Sequence, residues 1–286
     1  MEFQLVTTDH LNDRLWFRDD DDFKAGMNGV AVTATLMEID LLSFILMSNH
    51  VHFVLGGTRK QAFTFINDLK RHHSAYLQRR YGCKELLRRN DVDVRSVMRE
   101  DESLERAIAY VQMNSVAANI CLHPTGYLWG TGDAFFKGSA VQGRKLGTMS
   151  GRAQKRLIKS NRPLSKDLLV SNGYILPESF VQVRFVESVF RTPARMNYFL
   201  VNSSKAKHRL EGEECRFPAF RDQSILSALP DLCRSLFRQS DFKELNWNQQ
   251  AEIVRQIKLR FGSDIHQIAR ITGISFPEMA KMLDWI

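Results

Sequence analysis

The chain lacks an uninterrupted apolar run of the ~18 residues that a bilayer crossing needs. Its longest candidate, Ile39 to Leu55, is broken by Asp40, His50 and His52. The first residues, Met1-Glu2-Phe3-Gln4-Leu5, do not follow the basic-then-apolar pattern of a secretory signal. A cytoplasmic protein with no membrane partner is therefore expected. Cysteine is sparse: Cys83, Cys121, Cys215 and Cys233 are scattered with no CxxC pair, which suits reduced thiols better than a disulfide framework or a zinc ribbon. Glycine (16) and proline (7) are too few among 286 residues for a fibrous or low-complexity chain, and 44% apolar residues are too many for wholesale disorder. There is no GxxxxGK[ST] loop and no internal repeat. The length exceeds a typical single domain of roughly 100–200 residues, so more than one unit is expected.

Acidic residues are missing from one long stretch. Between Lys137 and Lys166 there are nine basic residues and no acidic one. Between Arg59 and Asn90 there are nine basic residues against Asp68 and Glu85. The net charge of +8 is what remains of these two stretches, +9 and +7, after an otherwise acidic chain is added. Charge gathered in this way is what phosphate neutralisation requires, although a solvated helix face and a flexible basic linker satisfy the same pattern.

Residues 3–8 read as a strand, and Asp19 to Met27 as a short helix whose acidic start complements the helix dipole, which makes a metal role for the Asp19–Asp22 run unnecessary. Glu38 to Leu46 and His50 to Leu55 read as two strands joined by Met47-Ser48-Asn49. Ala62 to Tyr81 and Glu102 to Ala118 show helical spacing, and Asp91 to Val97 is a further strand. This order predicts an α+β fold: a ferredoxin-like antiparallel sheet with helices on one face. The glycines between Gly126 and Gly151 mark its end, so the chain divides into a first domain at 1–138, a basic linker and mixed helical region at 139–240, and a three-helix tail at 241–286. In that tail Asn248 to Phe261, Asp264 to Thr272 and Phe276 to Trp285 read as helices, with Gly273 in a turn and Ser275 as a cap. Their spacing fits a helix-turn-helix, or a plain three-helix packing element.

The chemistry concentrates in two segments. On a strand, His50 and His52 project from one face, so both imidazoles can reach one metal ion; the same pair also suits a satisfied core. On a helix, Tyr110 and Asn114 lie one turn apart, presenting a phenol beside an amide oxygen, although Tyr110 also suits a half-buried core aromatic.

Three segments together resemble a known family: Leu15-Trp16-Phe17-Arg18-Asp19-Asp20-Asp21-Asp22-Phe23; Met47-Ser48-Asn49-His50-Val51-His52; and Tyr110-Val111-Gln112-Met113-Asn114-Ser115-Val116-Ala117-Ala118 followed by Pro124, Tyr127 and Trp129. In this order they are similar to the motifs of the single-tyrosine HUH transposases, which include insertion-sequence transposases acting on single strands and REP-associated tyrosine transposases of bacteria. The resemblance spans roughly residues 3–136. Ser115 stands where that family usually has proline, and Ala118 where a different small or basic residue is common.

The resemblance implies a Mg²⁺- or Mn²⁺-dependent nuclease and strand transferase acting on single-stranded, hairpin-associated DNA in a bacterial, nucleoid-associated setting. Carried over by position, Tyr110 is the nucleophile, and His50, His52 and Asn114 are metal ligands. The basic helix adds DNA contacts through Lys70, Arg71, Arg79, Arg80, Arg88 and Arg89. A homodimer is compatible with such a protein. The alternatives are a catalytically silent, domesticated regulator that binds DNA hairpins, an RNA-binding module of the same fold class, and a zinc hydrolase, which would lack a third His or Cys at zinc spacing.

Overall fold

A computed structural model of the chain describes residues 2–8, 15–82, 87, 91–159, 163–204, 222–263 and 265–284. The first half runs β1 (Phe3–Thr8), α1 (Asp20–Met37), β2 (Asp40–Leu46), β3 (Val51–Gly56), α2 (Arg59–Tyr81), β4 (Val92–Val97) and α3 (Ser103–Gln112), with a further turn α4 (Asn114–Ala117). Local chemistry sets several boundaries. The Asp19 carboxylate accepts from the Asp22 amide at 3.0 Å and caps α1. Thr58 and Gln61 form a reciprocal capping box at the start of α2, and Gly82, at φ +69°, ends it in the left-handed conformation.

α1 runs on to Met37 rather than ending near Met27 as its sequence suggested. Asn28, Gly29 and the β-branched Val30, Val32 and Thr33 are poor helix formers, yet all are buried, and burial outweighs their propensity.

The four strands form one antiparallel sheet in the order β2-β3-β1-β4. α1 and α2 cover one face, where Val51, Phe53 and Leu55 of β3 meet Phe23, Met27, Phe65, Ile66 and Leu69. The expectation of helices on one face only is corrected here. α3 packs on the opposite face, where Leu42, Ile45 and Val54 meet Leu104, Ile108 and Val111. β2 and β3 read as nearly continuous apolar runs because both of their faces are buried.

Residues beyond 138 do not act as a linker. β5 (Arg144–Lys145), α5 (Gly151–Ile158), β6 (Leu169–Ser171) and β7 (Tyr174–Ile175) fold back onto α1, with Leu146, Ile158, Val170 and Ile175 packed against Ala31 and Val32. α6 (Val183–Phe190) and α7 (Pro193–Val201) add Val186, Phe190, Phe199 and Leu200 to the α3 side.

The last unit comprises α8 (Asp222–Phe237), α9 (Trp247–Phe261), α10 (Ile265–Thr272) and α11 (Phe276–Asp284) around Ile225, Leu232, Ile253, Ile257, Ile268 and Met279. α8 shares this core, so the unit includes residues ahead of 241. Leu15 from the first half joins the same core, and Arg18 pairs with Asp231 at 3.4 Å. Among the described residues no helix is long and apolar enough to cross a membrane.

One ionic knot ties α2 to the start of α1. Arg80 forks onto Asp19 at 2.6 and 2.7 Å and reaches Asp22 at 2.6 Å, while Tyr76 and Tyr81 donate to Asp22 at 2.7 and 3.1 Å. Both carboxylates have side chains with no exposed surface. Burial, reinforced by the nearby Asp19 charge, raises the Asp22 carboxyl above its ordinary range, and the Arg80 charge opposes the rise. Removing Arg80 strands two buried carboxylates. Arg80→Ala is expected to lower unfolding stability by about 3 kcal/mol, with Arg80→Lys intermediate because an ammonium cannot fork. Urea unfolding checks this, and a loss under about 0.5 kcal/mol contradicts it.

Candidate active site

The site is built on the turn that enters β3. Met47 N donates to His50 O at 2.9 Å and closes the turn. Distant segments bind further groups of the turn and of the strand end that leads into it. Trp16 N and Phe17 N donate to Ser48 O at 2.8 and 3.2 Å, and Leu46 N donates to Trp129 O at 2.8 Å. Tyr127 Oη donates to Leu46 O at 2.7 Å, and the Ser48 hydroxyl donates to the Arg260 carbonyl of α9. Trp16, Tyr127 and Trp129, which the sequence placed among the motif residues, act here as braces.

His50 and His52 share the sheet face that α3 covers. Their rings lie edge-to-face with centroids 4.7 Å apart, and the His52 ring lies edge-to-face with Tyr110 at 5.6 Å. His50 Nδ1 sits 2.7 Å from Asn49 Oδ1, and an Nδ1–H donating to that oxygen would leave Nε2 to ligate. His52 Nδ1 sits 3.0 Å from Thr7 Oγ1 on the neighbouring strand. Each ring is thus held at Nδ1, as in imidazoles that ligate through Nε2.

The register continues outward: Thr7 pairs with His52 on one side and with Asp93 on the other, and Leu5 pairs with Arg95. Asp93 and Arg95, themselves paired at 2.6 Å, bring charge close to the phenol. Half-burial raises the Tyr110 phenol above its ordinary value of 10.0; Arg95 works against that rise and Asp93 adds to it.

Asn114 is buried, and its amide donates to the carbonyls of Tyr110 at 2.8 Å and Val111 at 3.3 Å. With its NH₂ committed to its own helix turn, Asn114 has its Oδ1 as the remaining ligating atom. Among the described residues no three His, Cys, Asp or Glu side chains gather in a metal-holding group. The donors brought together on this face are therefore two oriented imidazoles, with the Asn114 amide held on its own helix turn. That set fits a divalent cation whose remaining positions go to water and substrate oxygen, and imidazole suits Mn²⁺ better than Mg²⁺.

The basic residues expected to touch DNA divide differently. Lys70 is 5% exposed and lies inside the fold, so it is withdrawn from a phosphate-facing role. Arg80 is committed to Asp19 and Asp22. Arg71 is exposed and pairs with Asp68. Arg79 is exposed on the opposite face of the sheet from the histidines, and Arg88 and Arg89 lie outside the described residues. Thr7, Asn49, Asp93 and Arg95 were not foreseen. Strand pairing alone brings Thr7, Asp93 and Arg95 in, and a single strand read by itself carries no sign of that pairing.

No family model, curated protein or solved structure matches the chain.

Because burial raises it, the Tyr110 phenol is expected to stay protonated throughout the neutral range and to titrate above pH 10. Arg95→Gln should raise its pKa further, and Asp93→Asn should lower it. Carbon-13 NMR of ζ-labelled tyrosine reads this directly, and titration below 10, or no response to Arg95→Gln, contradicts it.

Proposed function

We propose that this chain is a divalent-metal-dependent single-strand DNA endonuclease and strand transferase of the single-tyrosine HUH type. In this reading the β-α-β-β-α-β half is a ferredoxin-like catalytic domain and α9–α11 form a helix-turn-helix-like DNA-binding tail. The observation that carries the proposal is the meeting of His50, His52 and Tyr110 on one sheet face, each from a separate motif position, with both imidazoles held at Nδ1.

In the proposed reaction the Tyr110 oxygen attacks a backbone phosphorus. A P–O bond to tyrosine forms, the P–O bond to the 3′-oxygen breaks, and the phenolic proton is balanced by the one that ends on the 3′-OH. The product is a 5′-phosphotyrosine that retains a phosphodiester linkage, so a 3′-hydroxyl can reseal it without nucleotide hydrolysis, in keeping with the missing P-loop. Half-burial raises the Tyr110 phenol and keeps it mostly protonated at neutral pH, so the step should accelerate as pH rises toward the phenol's pKa. Thr7 and Asn49 hold the imidazole edges, while Arg95 lends positive charge beside the attacking oxygen. A Mg²⁺ or Mn²⁺ held by His50, His52 and Asn114 would supply Lewis-acid neutralisation of the scissile phosphate.

Incubation with single-stranded hairpin-bearing DNA and Mn²⁺ should give a covalent protein–DNA adduct that survives denaturation. Tyr110→Phe should abolish the adduct while DNA binding persists. The double variant His50→Ala with His52→Ala should cut metal-dependent cleavage about a hundredfold or more. Adducts persisting in Tyr110→Phe, or cleavage with Mn²⁺ unchanged in the double variant, would overturn the assignment. Binding without any adduct in the unaltered protein would favour the silent regulator.

A further inference from the structure

α5 folds back across α1 and the C-terminal end of α2, and the three helices wall an open cavity of about 940 Å³. Its walls are fixed by contacts that no ligand has to form. Ser150 caps α5, accepting from the Ala153 amide at 3.3 Å. Asn28, buried on α1, donates to Leu157 O at 3.3 Å and Gly173 O at 3.2 Å, and its Oδ1 accepts from Ile175 N at 2.9 Å. Lys24, Arg79, Arg80, Lys155, Arg156 and Lys159 bring positive charge to these walls, and Asp21 is the one carboxylate among the described lining residues. Asp19 and Asp22 hold Arg80, and Asp21 lies within ion-pair reach of Lys24 at 3.8 Å. Arg79, Lys155, Arg156 and Lys159 have no carboxylate within ion-pair distance among the described residues, which leaves four cations uncompensated. Elsewhere in the same basic stretches Arg71, Lys137 and Lys145 are each taken by a carboxylate. Burial, then Arg79 and Arg80, hold the Lys159 ammonium below its ordinary value, and burial with Arg79 likewise lowers the His72 imidazole. The cations repel one another, and a bound anion relieves that repulsion.

We propose that this α1–α2–α5 cavity is a binding site for a small polyphosphate, the chain of linked phosphates shared by free inorganic polyphosphate and the tail of a nucleoside triphosphate. Its volume is that of a small-ligand pocket, which spans ~300–1,000 Å³. Three linked phosphates carry about four negative charges at neutral pH, matching the four uncompensated cations, whereas a single phosphate carries only about two. Arginine and lysine on facing walls suit phosphate oxygens in particular, through charge-assisted hydrogen bonds. The one aromatic among the described lining residues, Tyr76, is 5% exposed, and Lys159 Nζ covers its ring at 3.9 Å from the centre. No aromatic face is left there for a base to stack on, so recognition falls on the phosphates. A ligand held by all three helices fastens α5 to the sheet half and stabilises the fold by mass action. The cavity lies on the α1–α2 side of the sheet, away from His50, His52 and Tyr110, and half of its lining residues come after residue 138. The inference therefore stands whether or not Tyr110 is a nucleophile.

The test is isothermal titration calorimetry on the full chain in metal-free buffer, with inorganic tripolyphosphate, ATP, orthophosphate and citrate as probes. Tripolyphosphate should bind one to one, and orthophosphate and citrate about tenfold or more weakly. Lys155 and Arg156 are exposed, so the double variant Lys155→Glu with Arg156→Glu should fold, and thermal unfolding verifies that. It should bind tripolyphosphate about tenfold or more weakly. Arg79→Gln, on the facing wall, should weaken binding in the same direction. Arg184→Glu with Arg191→Glu, the same charge change on and just beyond α6, should leave it nearly unaltered. ATP binding as tightly as tripolyphosphate supports a nucleoside triphosphate as the source, and ATP binding about tenfold more weakly supports free polyphosphate. Absence of saturable binding, binding unchanged in the folded cleft variants, or equal loss in the control pair overturns the proposal. Citrate or orthophosphate binding as tightly as tripolyphosphate overturns it too, as does a DNA duplex bound through Lys155 and Arg156 while tripolyphosphate is not. Adduct formation is read separately, so failure here and failure of the tyrosine chemistry are distinguishable.

Discussion

A buried turn must find hydrogen-bond partners for its backbone outside itself, and the turn Met47–His50 draws them from three separate stretches of the chain. Trp16 and Phe17 bind its Ser48 carbonyl, Trp129 and Tyr127 bind the Leu46 amide and carbonyl, and α9 accepts its Ser48 hydroxyl. His50 is the last residue of that turn, so the direction of its ring is set by contacts made up to 212 residues away. This accounts for the three motif segments occurring together in one sequence. In the proposed reaction His50, His52, Tyr110 and Asn114 supply the atoms for chemistry. The aromatic residues of the first and third segments fix the frame on which those atoms sit.

The sheet then divides the molecule into two chemical environments. Period-two alternation along β3 sends Val51, Phe53 and Leu55 into the dry core under α1 and α2, and His52 and Val54 toward α3. A one-residue slip would put an imidazole against Phe65 and expel a phenylalanine toward Tyr110, so the apolar side enforces the register that the polar side uses. On the far side of α1 and α2, Arg80 neutralises Asp19 and Asp22, and the remaining cations converge with those of α5.

The sequence was readable where a local rule coincided with a tertiary one. β1–β3 and α2 lie within a few residues of their expected bounds because short apolar runs flank the Met47-Ser48-Asn49 turn and α2 keeps its helical spacing to Tyr81. The pairing of His50 with His52 follows from strand geometry alone. α1 was read too short because burial overrode its weak helix formers. The Gly-rich stretch after Gly126 was read as a linker because glycine usually signals a turn. At Gly130 and Gly132 it instead permits close approach: a Cβ there would fall 2.6 Å from Phe44 O and 2.1 Å from Pro124 O. Gly130 bridges to Ile45 and covers the outer edge of β2, a contact 85 residues apart that no local window contains. Lys70 and Arg80 looked like surface charges for the same reason, since their surroundings come from elsewhere in the chain.

The placement of the C-terminal unit bears on how the site works. The end of α9 touches three features at once. The Arg260 carbonyl accepts from Ser48, the Arg260 guanidinium binds Asp20 and lies over the Phe23 ring at 5.8 Å, and Gly262 lies close to the Ala118 carbonyl just past α4. Ser48 is two residues from His50, and Ala118 follows the helical segment that carries Tyr110 and Asn114. Any displacement of α9 therefore leaves a buried hydroxyl without its acceptor, at a cost of about 1–3 kcal/mol. The position of the tail and the geometry of the His-bearing turn are consequently coupled. A tail that served only as a detachable anchor would need none of these contacts. Their concentration at one helix end makes the C-terminal unit part of the frame that holds the turn bearing His50.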